Sequence, residues 1–180
     1  LKDRLIGRLR KETSYSVEPT EVGHALQVHS QIYRVSDERI LSDGTVIRHG
    51  DNFIEIHVMP PAMQPGESTL SYARRLKDMI RQDLVRLAQL CRDRGNFKAF
   101  DVLGGYSHLA RVGEEFGFDV FPIEDSDART HYTRTSYKYV RDMRNEVFDE
   151  KDVMSQKPAM EALISREKLI FLNKKLKIPE

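Results

Sequence analysis

The sequence predicts a single α/β domain, of the α+β kind, in which helices cover a mixed β-sheet, and three observations lead to this prediction. The chain has 180 residues, of which 39% are hydrophobic and 32% charged, as in a globular domain. Residues 52–59 alternate between apolar and polar side chains, as in a strand, and a long amphipathic segment follows them. The predicted elements run β-β-β-α-β-α-β, so a meander precedes an alternation of strands and helices. We expect one domain over residues 1–180 with its core at about 24–123.

The first half of the core is predicted to be a meander of three strands. Residues 25–35 are rich in β-forming side chains, and the Ser42-Asp43-Gly44 turn separates two short apolar pieces within 39–47. In the third strand, 52–59, one face carries Ile54, Ile56 and Val58, and the other carries Phe53, Glu55 and His57. Pro60-Pro61 ends this strand because proline has no amide hydrogen for the sheet.

The most regular element is a helix from Thr69 to about Arg94. Its apolar residues recur at spacings of three and four; they are Leu70, Ala73, Leu76, Ile80, Leu84, Leu87 and Cys91. Ser68 or Thr69 is expected to cap its start, and Gly95 is expected to end it.

The rest of the chain is predicted to alternate between strands and helices and then to form helices up to its C-terminal part. Residues 97–103 are expected to form a strand, Gly104-Gly105 a turn, 107–116 a helix capped by Ser107, and 118–123 a strand. Residues 124–135 are polar and predicted to be a loop. A helical C-terminal appendage is expected over about 136–176, with helices over 137–147 and 158–175; Ser165 is an alternative cap within the second. A short amphipathic helix is expected over 1–10.

Composition excludes several classes of function. The formal net charge of +1 argues against a polyanion bound by bulk electrostatics, so no nucleic-acid partner is expected, and the basic and aromatic residues of 129–144 are interpreted as a solvated surface. A single cysteine, Cys91, lies on the apolar stripe of the long helix and is a core residue; an intrachain disulfide would need a second. No apolar run reaches the roughly 20 residues of a membrane span. The first residues do not resemble a signal peptide, so we expect a cytoplasmic location.

The candidate catalytic residues are Glu55 and His57. They lie two apart on a predicted strand, so both side chains project from one face, about 7 Å apart along it. A carboxylate beside an imidazole suits general base catalysis or part of a metal site. The alternative is a solvated face, or a His57 that only donates a hydrogen bond to the backbone. Asp51 shares their face and is a candidate pocket residue.

Tyr106 and His108 are further candidate pocket residues, because they follow the glycine pair at the start of a predicted helix. Ser107 between them is interpreted as a cap, since Leu109 stands where a nucleophile elbow needs its second glycine. The remaining histidines, at 24, 29, 49 and 131, show no ligand-like spacing along the chain, so no metal site is assigned.

Three stretches together resemble the YkoP-like domain, a bacterial domain that often accompanies polysaccharide deacetylases. They are residues 41–51 with Asp43-Gly44 and Gly50-Asp51, the Glu55-Ile-His57 motif, and 110–120. The resemblance covers about Val28 to Ile123, with a weaker similarity at 164–169. It implies an accessory or binding module linked to envelope polysaccharide metabolism, with a small molecule or a glycan as its ligand.

The order of elements is also similar to the second half of a GNAT N-acyltransferase. That resemblance implies an acyl-CoA loop before the long helix, but Gln64-Pro-Gly-Glu-Ser68 has one glycine and places Glu67 where a pyrophosphate would lie. The position of the usual catalytic tyrosine falls near Gly113 or Glu114. No cofactor is therefore identified and acyl-CoA is disfavoured. Two alternative hypotheses stay open: an acyltransferase with a non-standard cofactor loop, and a homodimeric structural module.

Overall fold

Six strands form one mixed sheet in the computed structural model, which describes residues 16–144 and 157–174. They are β1 (Thr20–Glu21), β2 (Leu26–Ile32), β5 (Asn52–Val58), β6 (Val102–Ser107), β7 (Asp119–Pro122) and β8 (Met160–Ser165). A separate two-stranded hairpin contains β3 (Glu38–Ile40) and β4 (Val46–Arg48), with Gly44 at a φ of 85° in its turn. The predicted N-terminal helix over 1–10 lies outside the described residues.

The order of strands across the sheet is β1-β2-β5-β6-β8-β7. One pair, β5 with β6, is parallel, and the other four pairs are antiparallel. The parallel pair follows from the helix α1 (Thr69–Asp93), which carries the chain from the end of β5 back to the start of β6. Ser68 caps α1 by accepting from the Ser71 amide at 3.2 Å, as the sequence predicts.

The sheet has two faces with different coverings. Face A carries Val28, Ile54 and Leu103, which pack against the α1 side chains Leu84 and Leu87 in the largest core cluster. Leu169 of the C-terminal helix α3 (Arg166–Asn173) belongs to the same cluster.

Face B carries the opposite side chains of the same strands. Over β6, β7 and β8 it is covered by the hairpin, through Leu41 and Ile47, and by the helix α2 (Ser126–Arg144), through Ala128 and Tyr132. The alternation predicted for 52–59 is confirmed, because Phe53 and Ile54 are both fully buried but belong to different clusters. Glu55 and His57 therefore lie on face B.

The glycine pair was predicted to turn the chain, and this is wrong: Gly104 and Gly105 lie inside β6. A Cβ at Gly104 would lie 2.3 Å from the Ala162 carbonyl oxygen, and one at Gly105 would lie 2.3 Å from that of Ile56. Both neighbouring backbones thus approach too closely for a side chain. The predicted strand over 97–103 is correspondingly shifted, since Phe97–Ala99 is a 3-10 helix and the strand begins at Val102. Residues 110–116 are also a 3-10 helix.

Two predictions for the later part of the chain are also wrong. Residues 124–135, predicted to be a loop, lie mostly in α2, whose polar sequence reflects a helix that buries few side chains. Residues 160–165, predicted to be helical, form β8 between β6 and β7, so this part of the chain completes the sheet. The alternative cap is confirmed, because Ser165 accepts from the Lys168 amide at 3.0 Å and starts α3. The end of the predicted helix at Val147 lies outside the described residues.

Within residues 16–144 and 157–174, none of the helices is long and apolar enough to cross a membrane.

Candidate functional site

The register between β2 and β5 brings a third residue to the predicted pair. His29 lies directly opposite Glu55 across the two antiparallel strands, and Gln27 lies opposite His57. Residues paired in this way project from the same face, so His29 joins Glu55 and His57 on face B. Spacing along a single strand cannot reveal this contact. His29 is therefore not among the site residues predicted from the sequence.

Glu55 lies between the two imidazoles. Its Oε2 atom is 3.5 Å from Nε2 of His29 and 3.6 Å from Nε2 of His57. The two imidazole rings are stacked nearly parallel, with centroids 4.9 Å apart and an interplanar angle of 5°. One ligand atom from each of the three side chains lies within 4.8 Å of the other two. We refer to these three residues as the His–Glu–His cluster.

Burial differs across the cluster and sets its electrostatics. The side chain of Glu55 is 9% exposed, whereas those of His29 and His57 are 26% and 39% exposed. Burial raises the pKa of the Glu55 carboxyl above its usual range, although His29 and a hydrogen bond with Gln31 act in the opposite direction. Burial also lowers the pKa of His57, so its imidazole is neutral at neutral pH.

Two tyrosines stand near the cluster on the side of α2. Tyr106 of β6 stacks on Tyr132 of α2, with ring centroids 4.2 Å apart. Burial, with Glu55 and Glu161 nearby, raises the pKa of Tyr132 to about 12. Burial and the nearby acidic groups, Glu161 and Glu55 among them, also raise the pKa of Tyr106. Both phenols therefore stay protonated and can donate hydrogen bonds at neutral pH.

Asp51, a predicted pocket residue, lies directly before the first residue of β5 and stabilises a turn there. Its carboxylate accepts from the Arg48 amide at 2.8 Å, and its carbonyl accepts from the Tyr33 amide at 2.8 Å. Asp51 thus stabilises the turn that contains Gly50, at a φ of 86°, rather than extending the cluster.

His108, another predicted pocket residue, packs against α2. Its ring stacks on Tyr137 with centroids 4.6 Å apart, and its Nδ1 is buried without a hydrogen-bond partner. Burial lowers the pKa of His108. Ser107 ends β6 and accepts from the Leu109 amide at 3.0 Å. The prediction that it caps a helix is wrong, because the 3-10 helix begins at Ala110, after Leu109, and no side chain caps it.

A buried polar network on face B was not found from the sequence. Glu161 of β8 is 0% exposed; it accepts from the Tyr33 hydroxyl at 3.1 Å and from Arg39 Nε at 3.0 Å. Its other oxygen, Oε1, has no hydrogen-bond partner. A strand prediction for 160–165 would have placed Glu161 on an inward face, but the apolar residues there fit a helix equally well.

The loop before α1 contains Glu67, whose carboxylate forms hydrogen bonds with neighbouring groups. Glu67 accepts from Arg75 at 2.9 Å and 2.7 Å and from the Gln64 amide at 2.9 Å. The hydrogen bonds from Arg75 hold the pKa of Glu67 at about 2. This negative charge lies directly before the N-terminus of α1 and opposes an anionic ligand there.

The cluster is suited to two kinds of chemistry. A neutral imidazole beside a carboxylate accepts protons from a bound ligand and donates hydrogen bonds to it. Two imidazole nitrogens and one carboxylate oxygen are also ligands for a transition metal ion.

Comparison with known families gives a match that extends over nearly the whole chain. Residues 10–172 match the YkoP domain. No curated protein and no solved structure matches the chain.

Proposed function

Because this chain belongs to the YkoP domain family, we propose that it is an accessory ligand-binding domain that serves enzymes of envelope polysaccharide metabolism. The observation that carries the proposal is the position of Glu55, which lies buried between two partly exposed imidazoles on face B. The link to polysaccharide metabolism comes from the resemblance of the motifs, and the binding site comes from the geometry.

The energetics of Glu55 support a site rather than a structural pair. A buried carboxylate contributes to stability when a permanent cation neutralises it. Within residues 16–144 and 157–174, the ion pairs of Glu55 are with His29 and His57, and burial leaves His57 neutral. Among the described residues, the ion-pair partners of this buried carboxylate are thus histidines and not a permanent cation, an arrangement typical of groups kept for binding or catalysis.

The donors and acceptors around Glu55 favour a ligand rich in hydroxyl groups. Glu55 accepts hydrogen bonds from hydroxyls, while the imidazoles can both donate and accept. Tyr106 and Tyr132 add two further donors beside the cluster. A glycan segment has this alternation of donor and acceptor capacity, and the exposed edges of His29 and His57 leave the cluster accessible.

An acyltransferase is the second candidate function, and the sheet order favours it. A parallel pair, β5 with β6, interrupts an otherwise antiparallel sheet, and α1 leads away from it. β5 and β6 pair at two positions, Ile54 with Leu103 and Glu55 with Gly104. Both strands extend beyond these residues. A GNAT-like order of elements would contain such a parallel pair, but the Glu67–Arg75 pair opposes an anionic cofactor in the loop.

Isothermal titration separates the two candidates. The protein is titrated with N-acetylated amino-sugar oligomers, with their deacetylated forms, and with coenzyme A. We expect binding of an oligomer that His57→Ala abolishes while the melting temperature changes little, and weak or no binding of coenzyme A. Micromolar affinity for coenzyme A would favour the acyltransferase. A large loss of stability in both His57→Ala and Glu55→Gln would instead assign the cluster a structural role.

A further inference from the structure

We propose that His29, Glu55 and His57 together bind one divalent transition metal ion of the zinc type. This inference deepens the proposed function and rests on it in one respect, namely that both use the same cluster. The metal, however, needs no glycan for its own binding.

The distances between the three side chains fit a single ion. Zinc binds imidazole nitrogen and carboxylate oxygen at about 2.0–2.2 Å, so neighbouring ligand atoms in a tetrahedral site lie about 3.4 Å apart. The distances from Glu55 Oε2 to the two Nε2 atoms are 3.5 Å and 3.6 Å. An ion between the three atoms would leave the two Glu55 distances nearly unchanged, whereas the imidazoles, which are now stacked in parallel, would have to turn so that both ring nitrogens point towards it.

The two strands hold the three side chains in place before any ion arrives. Glu55 and His57 come from β5, and His29 comes from the residue opposite Glu55 on β2. Gln31, two residues after His29 on β2, projects from the same face and favours the ionised form of Glu55. The ionised carboxylate is the form that binds a metal ion.

The ligand set selects the kind of ion. Calcium takes six to eight oxygen ligands and magnesium prefers an octahedral oxygen shell, so one carboxylate is too little for either. Two imidazoles with one carboxylate suit zinc, or iron, cobalt and nickel in the divalent state. Three protein ligands leave at least one position open, and the exposed sides of His29 and His57 allow water or a ligand hydroxyl to fill it.

Over residues 16–144 and 157–174, no second group of metal-binding side chains competes for such an ion. Cys91 is 1% exposed and lies in the core cluster of face A. Within the described parts of the chain, His29, Glu55 and His57 are the one group of three or more such residues whose ligand atoms come together. His24 and His49 are exposed and lie outside this group, so they serve as matched controls.

Titration with zinc chloride alone tests the inference. The protein is first freed of metal with a chelator, and zinc binding is then measured by competition with an indicator dye. We expect one ion per chain, with affinity reduced about tenfold or more in each of His29→Ala, Glu55→Gln and His57→Ala. His24→Ala and His49→Ala should bind as the unaltered protein does. Circular dichroism checks that each variant is folded.

Cobalt supplies a second measurement that does not depend on affinity. Co²⁺ in a four-coordinate site absorbs visible light strongly, and the three cluster variants should lose that absorption. Equal zinc affinity in all five variants, or no zinc binding by the unaltered protein, would overturn the inference. Failure of the proposed function has a different signature, because the oligomers would then fail to bind with or without zinc while zinc binding itself is unaffected.

Discussion

Arg39 of the β3–β4 hairpin and Glu161 of β8 form a buried ion pair across 122 positions of the sequence, with Nε 3.0 Å from Oε2. Arg39 also reaches outwards to Glu124 at 3.0 Å and to the Pro122 carbonyl at 2.8 Å. The pair therefore joins the hairpin to the centre of face B.

Removing the arginine leaves a buried carboxylate without a cation. We expect Arg39→Ala to cost roughly 3–5 kcal/mol in the free energy of unfolding at neutral pH. Burial already raises the pKa of the Glu161 carboxyl above the usual 4.5 of a glutamate. Its contribution to stability is therefore full below that value and is lost as the pH rises through the folded pKa, and loss of Arg39 makes this decline steeper.

Urea unfolding from about pH 4 to about pH 8 measures this dependence. Arg48→Ala is the matched control, because Arg48 pairs with Glu38 at 2.7 Å on the surface of the same hairpin. Its cost should be about 0–1 kcal/mol. Equal costs for Arg39→Ala and Arg48→Ala would show that the buried pair does not stabilise the fold.

Asp83 of α1 should be among the residues least tolerant of change. Its Oδ2 atom accepts from three consecutive backbone amides, those of His24, Ala25 and Leu26, at 2.7–3.1 Å. Asp83→Ala leaves these donors without their acceptor, and we expect a loss of about 3 kcal/mol or more.

Chemical denaturation compares Asp83→Ala with Asp78→Ala. Asp78 lies on the same helix and pairs with Arg81 at 2.8 Å, but its side chain is 64% exposed. The control should change stability by about 0.5 kcal/mol or less. If Asp83→Ala were equally mild, the start of β2 would have to be held by other contacts.

Gly105→Ala should weaken the junction between β5 and β6. The added Cβ would lie 2.3 Å from the Ile56 carbonyl oxygen, so the parallel strands must separate. We expect faster amide hydrogen exchange in both strands and a lower melting temperature. Gly95→Ala is the control, since its added Cβ meets nothing within 4 Å. Unchanged exchange in Gly105→Ala would mean that the two strands accommodate a side chain.

Glu67 should make the loop before α1 sensitive to acid. The hydrogen bonds from Arg75 place its pKa at about 2, below the usual 4.5 of a glutamate. Its contribution to stability is therefore full above the higher value and is lost as the pH falls towards about 2. Glu67→Gln should melt at a lower temperature than the unaltered protein at neutral pH, and the two melting temperatures should converge in acid. A constant difference across this range would contradict the assignment.

The sequence predicted the elements whose pattern is local. The alternation in 52–59 and the three-and-four spacing of α1 each depend on one buried face, and both are confirmed. The prediction failed where a segment is apolar on more than one side. Within β8, Leu163 and Ile164 are both fully buried but face opposite sides of the sheet, so no period of two marks the strand.

The candidate site was predicted in part for a related reason. Glu55 and His57 could be paired from their spacing on one strand. His29 could not, because its contact with Glu55 depends on the register between β2 and β5. Asp51 shares their alternation but lies at the other end of β5, where it caps a turn. Alternation identifies the face of a strand, and position along the strand decides which residues meet.

The position of β8 between β6 and β7 has a consequence for synthesis on the ribosome. The strands β6 and β7 both emerge first, but each of them pairs with β8, which follows about forty residues after β7. A nascent chain therefore displays open strand edges until residue 165 has left the exit tunnel, and such edges pair readily with other chains. We expect a chain released before β8 to associate with copies of itself, and a peptide with the sequence of β8, supplied in trans, to suppress that association.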